Sequence, residues 1–391
     1  MITQRELLAL RAEWSLDVGV IEKDYLLGWL LAGISNHDSL SRTWVFKGGT
    51  CLRKCYYETF RFSEDLDFTI VDDGPEELDD LTRIFVEIAE WVREESGIEL
   101  IVDDRSFRRR MNRRGRPTVE GRVAYQGPSG QSSLPKVKLD LTSDEVLAER
   151  PMIRPIGHPY SDSLPVRGVL SYSITELFGE KLRALAERCR PRDLYDVVHM
   201  HRHPDVIGLS GSVRRALQRK CDHAGIEVPT LESIHESPYR AEVESEWGNM
   251  LGHQLPSPLP PFESFWSTLD SVFGWLDGTR QIAELPRAEV GQPDATWDAP
   301  QAITSWRRQV PLELLRYAGS NRLKVDIDYR AAQGRQGDRR VEPYALRRTR
   351  DGNLVLFVVN DHGDLRSYRV DRMAGIRPTA IPFTPRYRVE F

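Results

Sequence analysis

Cysteine is scarce in this 391-residue chain: there are four, Cys51, Cys55, Cys189 and Cys221, and no Cys-x-x-Cys pair. That spacing excludes a disulfide framework and the usual structural zinc site, and makes reduced thiols the expectation. No apolar run is long enough to cross a bilayer and no basic-then-apolar leader opens the sequence, so a cytosolic protein without membrane contact is expected. Neither a Walker A sequence nor Gly-x-Gly-x-x-Gly occurs, which removes the P-loop and dinucleotide-binding readings. Internal repeats and long low-complexity tracts are also missing.

What is present has the composition of a folded protein, 40% hydrophobic and 29% charged. The length exceeds one ordinary hydrophobic core and predicts two or three domains. The formal net charge of -5 hides an uneven distribution. Arginines crowd into "RSFRRRMNRRGRP" and into the last seventy or so residues, so nucleic acid stays open as a partner.

Hydrophobic periodicity predicts one or two amphipathic helices over "LLALRAEWSLDVGVIEKDYLLGWLLAGI". A short buried strand, "TWVF", then ends on Gly48 and Gly49, "TCLRKCYYETF" has helical character, and "LDFTI" alternates like a strand. A helix is predicted over 76–95, a strand at "IELIV", and another at "KVKLDLT". On that last strand Lys138 and Asp140 share one face while Val137, Leu139 and Leu141 take the other. Thr175 to Met200 reads as two helices broken at Pro191, and the region to Gly278 reads as mostly helical. Gly, Pro, Ala and charge then mark a linker around 280–300, and beyond it alternation with "DG" and "HGD" turns predicts a small β-rich domain.

The chemistry concentrates in "FKGGTCLRKCYYETFRFSEDLDF", Phe46 to Phe68. Asp65 and Asp67, two apart on a strand, project from one face and suit one or two hard cations. Asp140, on the later strand, is the candidate third carboxylate. Gly48 and Gly49 let the backbone approach an anion, a helix opening there aims N–H groups at a phosphate, and the Thr50 hydroxyl adds a donor. Such a set suits phosphoryl or nucleotidyl transfer, in which positioning and charge neutralisation carry catalysis.

These residues resemble the nucleotidyltransferase toxins of the AbiEii/AbiGii type, within the polymerase-β-like superfamily. The resemblance runs in order through "VIEKDYLLGWLL", "FKGGTCLRKCY", "RFSEDLDFTI", "KVKLDLT", "ELFGEKLRALAERCRPRDLYDV" and "PFESFWSTLD". It implies a nucleoside triphosphate held with Mg2+, two ions in all, by Asp65, Asp67 and Asp140, and a phosphate-binding turn at Gly48, Gly49 and Thr50. It further implies a nucleotide-contacting Lys181 and a catalytic Asp193. Asp140 either binds metal or accepts the acceptor hydroxyl proton. Asp193 either serves the site or caps its helix after Pro191, with Asp196 as the other carboxylate in reach. Some members of the family act as bacterial toxins that add nucleotides to the 3′ end of tRNA and are neutralised by a cognate antitoxin, so the resemblance implies both partners here.

The arginine run, with Arg109, Arg110, Arg113 and Arg114, reads as a mobile arm on an RNA backbone or as a solvated loop. His199, His201 and His203 read as helix-terminal histidines rather than metal ligands. Residues from about 311 to 391 resemble a WYL domain through "VDIDYR", "RRVEPYAL", "VLFVVN" and "LRSYRVDRM", with Leu356, Phe357 and Val358 at the place of the namesake tripeptide. Fifteen basic against nine acidic side chains fall between Arg322 and Phe391. The resemblance implies a nucleic-acid or nucleotide ligand, with Arg340, Arg366, Arg369 and Arg372 as candidates; a protein-contact domain is the alternative. The implied fold is α+β: a polymerase-β-like core over 1–205, a helical lobe over 206–280, a linker over 281–310 and a WYL-like domain over 311–391. The expected activity is nucleotide transfer to RNA in a toxin–antitoxin or phage-defence system. Transfer to a protein or small-molecule hydroxyl, and a non-catalytic sensing regulator, are the rivals.

Overall fold

The structure, a computed structural model, describes residues 1–58, 60–112, 115–130, 134–289, 310–331, 334 and 336–391. Arg113, Arg114 and most of the expected 281–310 linker lie outside the described residues. Along the chain run α1 (Gln4–Trp14), α2 (Val18–Asn36), α3 (Leu40–Thr43), β1 (Trp44–Lys47), α4 (Gly48–Cys51), β2 (Asp65–Ile70), α5 (Leu78–Ser96), β3 (Glu99–Ile101), β4 (Phe107–Met111), β5 (Pro117–Gln126) and β6 (Lys136–Thr142). Then follow β7 (Met152–Arg154), β8 (Val169–Ser171), α6 (Ile174–Arg188), α7 (Pro191–Arg202), α8 (Ser210–Ala224), α9 (Leu231–His235), α10 (Arg240–Leu251), α11 (Phe262–Trp266) and α12 (Leu269–Leu276). The last group is α13 (Leu312–Ser320), β9 (Leu323–Arg330), β10 (Gln336–Arg348), β11 (Leu354–Asn360), β12 (Leu365–Arg369) and β13 (Met373–Pro382). Among the described residues no helix is long and apolar enough to cross a membrane.

Two compact units emerge, one of Met1–Leu8, Asp17–Cys189 and Asp205–Ser237, the other of Ala9–Leu16, Arg190–Pro204 and Pro238–Phe391. The first is built on a mixed eight-stranded sheet in the order β3-β5-β6-β2-β1-β8-β7, with β4 also pairing β5. β2 runs parallel to β6 and antiparallel to β1, and β6 is antiparallel to β5. Because side chains alternate along a strand, this register sorts the sheet into two faces. Leu66, Phe68, Val119, Val123, Val137, Leu139 and Leu141 are buried on one of them. There Phe85 of α5 packs edge-on to Phe107 of β4 at 4.8 Å and lies 6.0 Å from Trp44, ring centre to ring centre. Each such aromatic is worth about 2–3 kcal/mol on burial. The opposite face carries Lys47, Asp65, Asp67, Lys138 and Asp140 in register.

Two local expectations change. The helix α2 is not amphipathic: every residue from Ile21 to Ile34 except Lys23 is buried, as expected of a helix enclosed on all sides. Part of the arginine run is not a loop, since Phe107–Met111 forms a strand paired with residues 117–121 of β5. Phe107 anchors it in the core, in space that Gly121 leaves open, since a Cβ at Gly121 would lie 2.8 Å from the Phe107 ring.

In the second unit β9 to β13 form an antiparallel sheet in the order β12-β11-β10-β9-β13. Its core gathers Tyr344, Ala345, Val355, Phe357, Val359 and Phe383. Leu356, Phe357 and Val358 are all buried, so the strand at the tripeptide position is covered on both faces. Residues in α7, including Tyr195, stack on α11, with the Tyr195 and Phe265 rings 5.2 Å apart.

Candidate active site

The site of the first unit begins where β1 stops. Gly48 has φ +81, a region open to glycine, and a Cβ there would overlap the Asp67 carboxylate. The Gly-Gly pair therefore does two jobs: it turns the chain and clears room for side chains. At Gly49 the occupant is Arg61, whose guanidinium lies where a Cβ would project. The Thr50 hydroxyl, expected as a phosphate donor, gives its hydrogen to the Asp65 carbonyl at 2.5 Å and so ties the turn to β2. After α4 the chain widens into a π-type turn over Leu52–Tyr56 instead of the regular helix expected, and the consecutive residues Arg53 and Lys54 both reach Asp24.

Substituting alanine for Gly48 is expected to cost about 1–3 kcal/mol from the left-handed backbone alone, and to displace the Asp67 carboxylate. Thermal denaturation together with a nucleotide-transfer assay checks this. A stable variant with full activity would show that Asp67 does not depend on the turn.

Sheet register puts the three carboxylates on one face. Asp67 on β2 is the direct partner of Asp140 on β6, and Asp65 is the partner of Lys138. Neighbouring strands lie about 4.8 Å apart. Burial and then the Asp140 charge push the Asp67 carboxyl up to about 6, with Lys47 and Lys181 pulling the other way. Burial likewise raises Asp65, eased by Lys138 and opposed by Asp140. Lys138 donates to Asp140, and this bond holds its ammonium above the usual lysine range against the effect of burial. Lys181 on α6 is buried and within electrostatic reach of Asp67. Asp193 is a fully buried residue in the first turn of α7, in the second unit, where its backbone N–H bonds the Arg190 carbonyl at 3.0 Å.

A further layer of charge went unrecognised in the sequence. Lys47, the register partner of Asp67, binds Glu145 at 2.6 Å. Glu145 also accepts from Tyr172 at 2.8 Å and from Thr69 at 3.1 Å. Lys220 on α8 reaches Tyr172 at 3.2 Å and Glu176 at 2.8 Å. Burial works against the Glu145 charge, yet Lys47 holds its carboxyl below the usual range. Lys47 had a signal, a cation closing the apolar strand "WVFK" just before the glycines; Glu145 and Lys220 had none.

The residues present fit a hard cation in their chemistry: Asp65, Asp67 and Asp140 are carboxylates that repel one another on one face, with Lys47, Lys138 and Lys181 as neighbouring cations. Among the described residues no three acidic, histidine or cysteine side chains are gathered on one point as they stand.

Of the arginines expected to meet nucleic acid, Arg109 pairs with Glu77 at 2.8 Å and Arg110 with Glu120 at 3.2 Å. In the second unit Arg340 pairs with Asp326 at 2.8 Å, Arg366 with Asp364 at 3.0 Å and Arg369 with Asp371 at 2.6 Å. These three arginines are therefore each paired with a neighbouring aspartate. His199 and His201 are buried, and burial lowers both below the usual histidine range, to about 3 and about 4.

Comparison with known proteins identifies two segments of the chain. Residues 29–271 match the family described as Nucleotidyl transferase AbiEii toxin, Type IV TA system, and residues 311–378 match the WYL domain. No curated protein matches the chain. Solved structures similar to it include MenT4, a nucleotidyltransferase toxin from Mycobacterium tuberculosis H37Rv, at 20% identity over 71% of this chain and 97% of that one, with a TM-score of 0.37. Another is the proteasome accessory factor PafBC of Arthrobacter aurescens, at 19% identity over 34% of this chain and 18% of that one, with a TM-score of 0.18.

Proposed function

The chain belongs to the AbiEii nucleotidyltransferase toxin family of type IV toxin–antitoxin systems, and from that premise we propose that it transfers a nucleotide from a nucleoside triphosphate to the 3′ end of tRNA. The observation that carries this reading is the pairing of Asp67 with Asp140 across β2 and β6, where two carboxylates share a face beside Lys47 and Lys181. In the transfer the acceptor hydroxyl oxygen bonds the α-phosphorus, the bond to the bridging oxygen breaks, and pyrophosphate leaves with that electron pair. Asp140, whose side chain is 45% exposed, takes the hydroxyl proton. Lys181 and Lys47 balance phosphate charge as point cations, and the turn at Gly48 and Gly49 brings backbone close to the triphosphate. Asp65, Asp67 and Asp140 would hold Mg2+, two ions in this reading, which when bound supply charge neutralisation on the triphosphate. Asp193 is kept as a further candidate of the site. We assign the segments as a core over 1–205, a helical lobe over 206–280, a linker over 281–310 and the WYL domain beyond, a cytoplasmic location, a cognate antitoxin as partner, and a nucleic acid or nucleotide for the WYL domain, with Arg372 its candidate contact.

The test is incubation with labelled nucleoside triphosphates, Mg2+ and total tRNA. Label is expected in RNA with the wild-type protein and not with Asp65→Ala. Label in protein bands would move the acceptor to a protein hydroxyl. Absence of label and of pyrophosphate release would leave a nucleotide-binding regulator.

A further inference from the structure

On the catalytic face of the sheet the register continues outward from the carboxylates. Asp140 on β6 is the partner of Glu120 on β5, and Glu120 is the partner of Arg108 on β4. One row thus reads Lys47, Asp67, Asp140, Glu120, Arg108 across five strands. Arg122 pairs with Lys138 in the adjacent row, and Arg110, two residues from Arg108, takes the same face. β4 is three strands from β2, about 14 Å at the usual spacing, so the arginines flank the carboxylates instead of covering them.

Glu120 is the organiser of this patch. Its side chain is 6% exposed, and Arg108, Arg110 and Arg122, about half exposed, all bind it. Arg108 Nε and Arg122 Nε both donate to Glu120 Oε1 at 2.9 Å, while Arg110 Nε is 3.2 Å from Oε2. One carboxylate balances one of three guanidinium charges. Each guanidinium has five N–H donors, more than its bonds to Glu120 use. Charge on an edge strand also guards against strand pairing, but that purpose does not require three cations drawn together on one buried acid. Arg109 takes the other face, with Val119 and Glu77, and stands apart from the group.

We propose that Arg108, Arg110 and Arg122, fixed by Glu120, form the track along which the phosphodiester backbone of the RNA acceptor approaches the carboxylates. Planar guanidinium forks suit phosphate oxygens. Partial exposure lets them bind without first being freed. A track of this kind reads no bases, so it holds the strand while the 3′ end is positioned by the site. The proposal rests on the reading that the acceptor is RNA.

The experiment measures binding of labelled total tRNA by fluorescence anisotropy over a range of salt concentrations, without nucleotide, so that it does not depend on transfer. Arg108→Ala, Arg110→Ala and Arg122→Ala are each expected to reduce the slope of log K against log salt by about one. The triple variant is expected to bind at least tenfold more weakly at low salt. Arg83→Ala, an exposed arginine on α5, serves as the control and is expected to change neither quantity. The three single variants keep the test valid if the triple variant, with its buried Glu120 left unbalanced, fails to fold. Unchanged slopes in all three would overturn the proposal. So would loss of binding to polyglutamate with tRNA binding intact, which would make the face a contact for an acidic protein. A wild-type protein that binds tRNA through this track yet labels no RNA would remove the transfer reading and leave the track standing.

Discussion

Asparagine in place of Asp67 is expected to abolish nucleotide transfer and, in buffer free of divalent cations, to make the first unit harder to unfold. The two effects have one cause. Asp67 is a carboxylate opposite Asp140 and near Asp65, and burial and these neighbours push its carboxyl to about 6. The folded protein therefore holds a proton on this group that the unfolded chain has already released. Between about pH 4 and pH 6 stability falls as pH rises, and above that range the full cost of the charged form remains. A rise to about 6 corresponds to at most about 3 kcal/mol. Asparagine keeps the shape and removes the charge, so at pH 7 its melting temperature should exceed that of the wild type. Without the carboxylate, transfer is expected to fall by roughly a thousandfold or more, the several kcal/mol that neutralising triphosphate charge supplies.

Mg2+ separates this account from simple repacking. A ligand that binds only the folded state stabilises it in proportion to the logarithm of its concentration. Added Mg2+ should raise the wild-type melting temperature and leave Asp67→Asn nearly unmoved, so the order of the two proteins narrows or reverses. Thermal unfolding from pH 4 to pH 8, with and without Mg2+, reads all of this. An Asp67→Asn protein less stable than wild type without metal would mean that the carboxylate is satisfied in the fold, and the argument from repulsion would fail.

The half of the site legible in the sequence was local. A period of two puts Asp65 with Asp67, and Lys138 with Asp140, on single faces, and the observed burial of Val137, Leu139 and Leu141 follows the same rule. Which strands lie side by side is a different kind of fact. Asp67 faces Asp140 because β6 returns parallel to β2 after α5 and β3 to β5 intervene, and no spacing in the sequence states that register. The Lys47, Glu145 and Lys220 contacts are illegible for the same reason, being made between β1, a segment after β6, and α8. The arginine strand was misread because its apolar alternation consists of one buried residue, Phe107, and its partner in the sheet is a glycine. Donor capacity alone suggests a phosphate for the Thr50 hydroxyl, whereas the fold gives it the backbone carbonyl of Asp65. The hairpins joining β9 to β10, β10 to β11 and β11 to β12 were legible, being local, whereas the pairing of β9 with the distant β13 and the helix α13 ahead of them were not.

Alanine in place of Asp24 is expected to produce the largest loss of stability in the first unit, about 3–5 kcal/mol. This residue stands in "VIEKDYLLGWLL", where the sequence shows only a charged side chain on an apolar helix. In the fold its side chain is 1% exposed and is gripped by Arg53 Nε and Lys54 Nζ, each at 2.8 Å, and by the Tyr160 hydroxyl at 2.7 Å. Burial opposes its charge, yet Arg53 and Lys54 hold its carboxyl well below the usual carboxylate range. Its contribution is thus fully present above about pH 4 and is lost as pH falls through the depressed value. Alanine would leave two buried cations without the carboxylate that balances them, although Arg53 keeps its bond to the Phe60 carbonyl, which is why removing one partner costs more than the ion cluster itself contributes. Both cations sit on the widened turn that follows Gly48 and Thr50, so the damage is expected to reach the site and lower transfer as well. Chemical denaturation measures the loss, and adding Lys54→Met to Asp24→Ala should recover part of it by removing one stranded charge. A single Asp24→Ala variant within about 1 kcal/mol of wild type would show that water reaches these cations, and that the turn beside the carboxylates is held by its backbone alone.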